Sequence, residues 1–144
     1  MLHQKDSMAK SKIPRHIDPG KQINAMKALF PKFSAKVQGH KVVFKGKLRV
    51  KPEFQEYSLE IIYDGDKKPK VYVRHPELAP NAPHIYPQGR YLCLYHPSNF
   101  TWTAEKLVAK EIMQWTIAWL YFYECWLDTG VWYGPEVAHG ELKG

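Results

Sequence analysis

The sequence predicts an α+β domain with a short basic helix first, an antiparallel meander next, an irregular functional loop after it and a long apolar helix near the carboxyl end. Three observations predict it. Apolar residues alternate with polar ones in two runs after residue 41, with the period of a strand that buries one face. From Val108 to Trp126 the apolar positions recur at spacings of four and three, the period of a helix packed along one seam. Between these patterns prolines are so dense that regular backbone ladders are denied.

Residues 1–19 hold Lys5, Lys10, Lys12 and Arg15, two prolines and few apolar anchors, so a flexible basic arm is expected there, with one domain over 20–144. Gln22 to Phe30 sets Ile23, Met26, Leu29 and Phe30 on one side and Lys21 and Lys27 outside, which predicts a helix stopped by Pro31. Val42, Phe44, Leu48 and Val50 alternate with Lys45, Lys47, Arg49 and Lys51 in a first strand. Tyr57, Leu59, Ile61 and Tyr63 mark a second, and Asp64 and Gly65 turn the chain towards a third at Lys70 to Arg74. The stretch His75 to Thr101 follows, with Pro76, Pro80, Pro83, Pro87, Pro97 and Gly89. The core helix is expected from Thr103 onward, with Val108, Ile112, Trp115, Trp119, Phe122 and Trp126 along its seam. Ile117, Leu120 and Tyr121 lie on its opposite side, so the sheet or the tail Val131 to His139 should cover that face as well.

At 144 residues, 44% hydrophobic and 24% charged, the chain has the size and composition of one globular domain. Cys93 and Cys125 are too few for a disulfide framework and read as free thiols in a reducing compartment, which makes the cytoplasm the expected location. The longest charge-free apolar stretch, Ile112 to Tyr123, falls short of the roughly 20 residues that cross a bilayer. The net charge of +7 is unevenly placed. Residues 1–51 set thirteen Lys or Arg against Asp6 and Asp18, a balance of +11, whereas the rest of the chain carries −4. A basic front end fits an acidic protein surface, fits nucleic acid equally on charge alone, and also fits mere solubility.

Cys93 lies in Arg90-Tyr-Leu-Cys-Leu-Tyr-His96, where the proline-stiffened backbone can hold a thiol rigidly. Only the thiolate is nucleophilic, and Arg90, His84 and His96, if close in space, would lower its pKa from about 8.5. A lone Cys between Leu92 and Leu94 is more often a small buried apolar residue than a catalyst. His96 can polarise the thiol or be a solvated turn residue before Pro97. Cys125 sits among the rings Tyr121 and Phe122 and reads as packing, while Glu105 and Glu111 read as helix surface. No Cys-x-x-Cys or His-x-x-x-His pair predicts a metal, and no Gly-rich loop predicts a nucleotide, so no cofactor is expected.

The order of these pieces, basic helix, meander ending in Pro69-Lys-Val-Tyr-Val73, Pro83-His84-Ile85, Gly89, Leu92-Cys93-Leu94, Trp102 and a helix, resembles a ubiquitin-conjugating enzyme. The resemblance covers about Gln22 to Tyr123. The Pro-His-Ile-Tyr and Leu-Cys-Leu-Tyr pieces, with Trp132-Tyr-Gly-Pro-Glu136, are similar to the bacterial branch found in antiphage (CBASS-type) defence operons beside a cyclic-oligonucleotide synthase. The resemblance implies that Cys93 is the thioester-forming cysteine and that His84, framed by Pro83 and Ile85, stands where the family has an asparagine. An imidazole there could donate to the oxyanion or act as a base. Ala82 replaces the histidine of the family motif, and Thr103-Ala104 replace Ser-Pro after Trp102.

The expected function is therefore transfer: Cys93 accepts the carboxyl terminus of a protein partner, by resemblance a cyclic-oligonucleotide synthase, and passes it to an amine. Whether a separate activating enzyme takes part is open. His84 and His96 are the expected catalytic partners, and Lys21, Lys27, Arg90 and Tyr95 the expected partner contacts. A binding module without chemistry, or a hydrolase using the same thiol, are the alternatives. Nucleic acid is a weaker candidate for the basic arm.

Overall fold

The structure, a computed structural model, describes residues 18–135. Helix α1 (Pro19–Leu29) begins where its sequence allows it: the Asp18 side chain accepts the Lys21 N–H at 3.1 Å, and Pro19 occupies a first-turn position that needs no donor. The helix thus opens three residues before Gln22. The rest of the expected arm lies outside the described residues. The inner face of α1 differs from its apolar pattern, since Met26 and Gln22 are buried while Leu29 is 53% exposed. Gln22 is inside because both ends of its amide are used: Nε2 donates to Lys106 O at 2.7 Å and Oε1 accepts the Val108 N–H at 3.0 Å.

Four strands, not three, form an antiparallel sheet in the order β1 (Ser34–Gln38), β2 (Lys41–Leu48), β3 (Tyr57–Asp64) and β4 (Lys67–His75). Strand β1 leaves no alternation in the sequence because all five of its residues are exposed at the sheet edge. Gly39, at φ 67°, turns it into β2. The inner face carries Val42, Phe44, Leu59, Ile61, Tyr63 and Val71 in register, all at most 2% exposed. Gly46 is on the same face and is small for a reason: a Cβ there would meet the Phe33 ring at 2.5 Å.

The expected helical start at Thr103 is not observed. A turn follows Trp102, Lys106 N–H donating to Thr103 O at 3.0 Å, so Glu105 lies before any helix. A π-helical turn (Val108–Ile112) then runs into α2 (Met113–Thr129), which Gly130 ends in left-handed conformation at φ 77°. The buried side of the π turn and α2 carries Val108, Ile112, Met113, Thr116, Trp119, Leu120 and Tyr123, so Val108, Ile112 and Trp119 of the expected seam are buried as expected and the rest of the buried stripe is displaced from it by about one position. The extra residue in the wider π turn shifts the helical phase. Trp115, Phe122 and Trp126 of that seam are only half-buried, and Leu120, expected opposite them, is fully buried. Trp102 ties the loop to the sheet by donating to Gly65 O at 2.9 Å, and the Tyr63 hydroxyl donates to Ala104 O at 3.1 Å.

Replacing Gly46 by Ala forces either Phe33 or β2 to move, an overpacking worth about 1–3 kcal/mol. Urea unfolding of Gly46→Ala should show that loss with an unchanged slope, and Gly46→Ala combined with Phe33→Leu should recover part of it.

Candidate functional site

The site is built on the chain between β4 and α2. Ile85 and Leu92 form a bridge, Tyr86 N–H donates to Tyr91 O at 3.0 Å, and Tyr86 and Tyr91 stack at 4.5 Å, so residues 84–93 make a small hairpin. Its Leu92 N–H donates to Val71 O at 3.0 Å, which docks the hairpin on β4. Cys93 N–H donates to His84 O at 2.9 Å, and Trp119 Nε1 donates to the same oxygen at 3.1 Å. Backbone bonding therefore brings His84 and Cys93 together, nine positions apart in the chain, and a core tryptophan holds the pair to α2.

His84 takes φ 56°, a left-handed conformation that His, Asn and Asp adopt more readily than other side-chain-bearing residues. Its ring is buried against Trp132, centroids 4.8 Å apart. Trp132 in turn contacts Trp119 and Phe122, so the segment after α2 does cover part of that helix up to Pro135, while residues 136–139 of the expected covering tail lie outside the described residues. A cavity of about 230 Å³ opens beside Cys93 between His84, Tyr95, His96, Trp115, Trp119, Phe122 and Trp132. The half-buried face of α2 is thus the wall of this cavity, not its contact with the sheet.

The Cys93 thiol differs from the expectation of a lowered pKa. Burial, at 7% exposure, pushes it up to about 12, and the cation whose field opposes that rise is Lys68. Arg90 is engaged elsewhere: its guanidinium donates to Ala79 O at 3.2 Å and Pro80 O at 3.5 Å, bracing the hairpin against the preceding loop. His96 lines the cavity, and its Nδ1 accepts the Ser98 N–H at 3.0 Å. Tyr95 packs on Phe100 and Trp115, and burial raises its hydroxyl to about 12. Lys21 and Lys27 project from the exposed side of α1. Cys125 is half-buried on α2.

Sequence reasoning did not single out Lys68, Trp119 or Trp132 for the site. Trp119 was legible only as core, and Lys68 lies 25 positions from the thiol it influences, with no local pattern linking them. Among the described residues, no group of three or more His, Cys, Asp or Glu side chains is placed to hold a metal ion, and no helix is long and apolar enough to cross a membrane.

With a thiol raised to about 12, only about one molecule in ten thousand carries the thiolate at pH 8. Iodoacetamide alkylation of Cys93 in the folded protein should therefore be slow at neutral pH and rise about tenfold per pH unit from 7 to 9 without levelling, as peptide mapping by mass spectrometry would record.

No curated protein matches the chain. The family described as Type II CBASS E2 protein matches residues 22–140, a span that contains α1 from Gln22 onward, the whole sheet, the hairpin with His84 and Cys93, and α2. With most of its length inside that match, the chain belongs to the E2 proteins of Type II CBASS, an antiviral defence system.

Proposed function

We propose that the protein has the ubiquitin-conjugating-enzyme-like fold and works as a thiol acyltransferase. Cys93 takes the carboxyl terminus of a partner protein, a cyclic-oligonucleotide synthase of the same system, as a thioester and delivers it to an amine. The observation that carries this reading is the direct backbone bond between Cys93 and His84 at the mouth of a cavity in a chain of this family. In the loading step the Cys93 sulfur attacks the carbonyl carbon of an activated carboxyl terminus, such as a thioester on a separate activating enzyme. The C–S bond to Cys93 forms, the donor thiol leaves, and the Cys93 proton goes with it. In the second step an amine attacks the same carbon, the C–S bond breaks, and the departing thiolate takes the proton the amine gives up.

Negative charge gathers on the thioester oxygen as the amine attacks, and a preorganised donor there contributes about 3–4 kcal/mol, roughly a hundredfold to a thousandfold in rate. His84 is assigned that role. The ring is rigid between the hairpin and Trp132, and an imidazole N–H needs no proton transfer to donate. His96 borders the same cavity and is assigned to positioning the acceptor, with Tyr95 and Arg90 on the surface that meets the partner. The basic face of α1, with Lys21 and Lys27, would dock an acidic surface of that partner.

One observation favours a binding module instead: the buried, raised thiol is a poor nucleophile in the free protein. Incubation with partner and activating components separates the two. A band sensitive to reducing agent should form on the wild type and vanish in Cys93→Ala; if Cys93→Ala binds the partner equally and no adduct ever forms on the wild type, the transferase reading fails.

His84→Ala should load Cys93 at a modestly reduced rate but discharge it to an amine about a hundredfold more slowly, whereas His84→Asn should keep a good part of the discharge rate. Asparagine tolerates the same left-handed backbone and can donate, but it cannot act as a base at neutral pH. Single-turnover discharge from the purified thioester measures this. Equal failure of Asn and Ala, with wild-type discharge falling as the pH is lowered, would assign His84 as the base. In loading assays, Lys21→Glu with Lys27→Glu should slow adduct formation and reduce its salt dependence while the melting temperature stays put.

A further inference from the structure

Much of the basic charge of residues 1–51 lies on the sheet, not on α1. Residues paired across neighbouring strands share a face, and one face of this sheet is the core, packed against Met26 of α1 and Met113 and Leu120 of α2. The opposite face reads in rows: Lys36, Val43, Ile62 and Lys70 form one, and Ser34, Lys45, Glu60 and Tyr72 the next. Lys41 and Lys47, each two positions along β2 from a member of these rows, point to the same side. Lys36, Lys41, Lys45, Lys47 and Lys70 are all exposed. The two carboxylates of this face are already engaged, Glu60 by Arg74 at 2.8 Å and Asp64 by His40 at 3.3 Å and Lys67 at 3.7 Å. Among the described residues, none of the five lysines has an ion-pair partner. Aromatic groups border them. The Arg74 guanidinium lies 4.2 Å over the Tyr72 ring, Tyr72 meets Tyr91 edge to face at 5.9 Å, and the Lys70 ammonium stands 5.0 Å over Tyr91. Tyr91 stacks in turn on Tyr86, and both rings border a groove of about 660 Å³ together with Lys68, Lys70 and Gln88.

We propose that this outer face of the sheet binds single-stranded nucleic acid, with phosphates on Lys36, Lys45, Lys47 and Lys70 and bases against the Tyr72–Arg74 pair and in the groove beside Tyr86 and Tyr91. Five unmatched ammonium groups spread over a face of four strands suit a chain that carries one negative charge per nucleotide. Ring faces and a guanidinium plane add stacking that any base can use and that bases locked inside a duplex cannot reach. An acidic peptide would meet the lysines alike but would leave the tyrosine row without a role. The site uses neither Cys93 nor the aromatic cavity, so it stands independently of the thioester reading.

The test uses the full chain and a fluorescein-labelled single-stranded DNA of about twelve mixed nucleotides, read by fluorescence polarisation. Binding should be saturable and, with five lysines engaged, should weaken about a hundredfold between about 50 and about 200 mM salt. Lys45→Gln/Lys47→Gln should weaken binding at the lower salt at least tenfold and cut that salt effect to about twentyfold. Tyr72→Leu, which keeps an apolar side chain on the sheet, should weaken binding about tenfold and leave the salt effect as it was. Lys110→Gln, on the π turn and away from this face, should change affinity less than about twofold. The proposal is overturned by absence of saturable binding up to about 100 μM protein at the lower salt, by indifference to the Lys45 and Lys47 changes or to Tyr72→Leu, or by binding of a duplex of the same sequence as tightly as the single strand. Displacement of the strand by polyglutamate of equal charge as effectively as by unlabelled strand would also overturn it and assign the face to acidic proteins.

Discussion

The carbonyl oxygen of His84 is the point on which the site depends. It accepts the Cys93 N–H from the returning arm of the hairpin and the Trp119 indole N–H from the core helix. Both lone pairs of one peptide oxygen are thereby used, and three separate parts of the chain meet there. The left-handed backbone at His84 aims that carbonyl away from its own strand, at a strain of about 1–2 kcal/mol that the two bonds offset. Arg90, the other non-glycine residue with positive φ among the described residues, sits at the far end of the hairpin and is braced by two loop carbonyls. Both ends of the hairpin are therefore held independently of any ligand.

Helix α2 serves two partners because the π turn before it sets its phase. With the wider turn, Met113, Thr116, Leu120 and Tyr123 fill the sheet side while Trp115, Trp119 and Phe122 are presented to the hairpin. The cost of a π turn is the loosened backbone ladder at its start. Gln22 relieves this from across the core, since its amide satisfies the Val108 N–H and the Lys106 carbonyl together. A buried glutamine on α1 thus contributes to the orientation of tryptophans near the thiol.

Burial and charge oppose one another at Cys93. The rigid, apolar setting that fixes the sulfur also disfavours its ionised form, and Lys68 only partly counteracts that. A thiol held neutral in the resting protein is protected from oxidation and stray alkylation. The space that reaches the sulfur is the aromatic cavity it shares with His84, Trp119 and Trp132.

Strands β2 and β3 and the existence of α2 were legible in the sequence because their signals are local: neighbours two or four positions apart decide which face is apolar. The juxtaposition of a Pro-framed histidine with a cysteine in a stiff loop was legible as a candidate site through its resemblance to a family, and the match over residues 22–140 agrees with that family. Strand β1 was not legible, since an edge strand exposed on both faces needs no alternation. Neither were the buried Gln22, the phase of α2, or the direction of the Cys93 pKa shift. Each depends on groups brought together from distant positions: Gln22 with Val108, Trp119 with His84, Lys68 with Cys93. The sequence by itself determined the first helix, the three strands of the meander, the long helix and which thiol lies in the loop between them. Only the tertiary structure decided how deeply that thiol is buried and which charge it feels, because desolvation and Coulomb interactions depend on distance in space, not on separation along the chain.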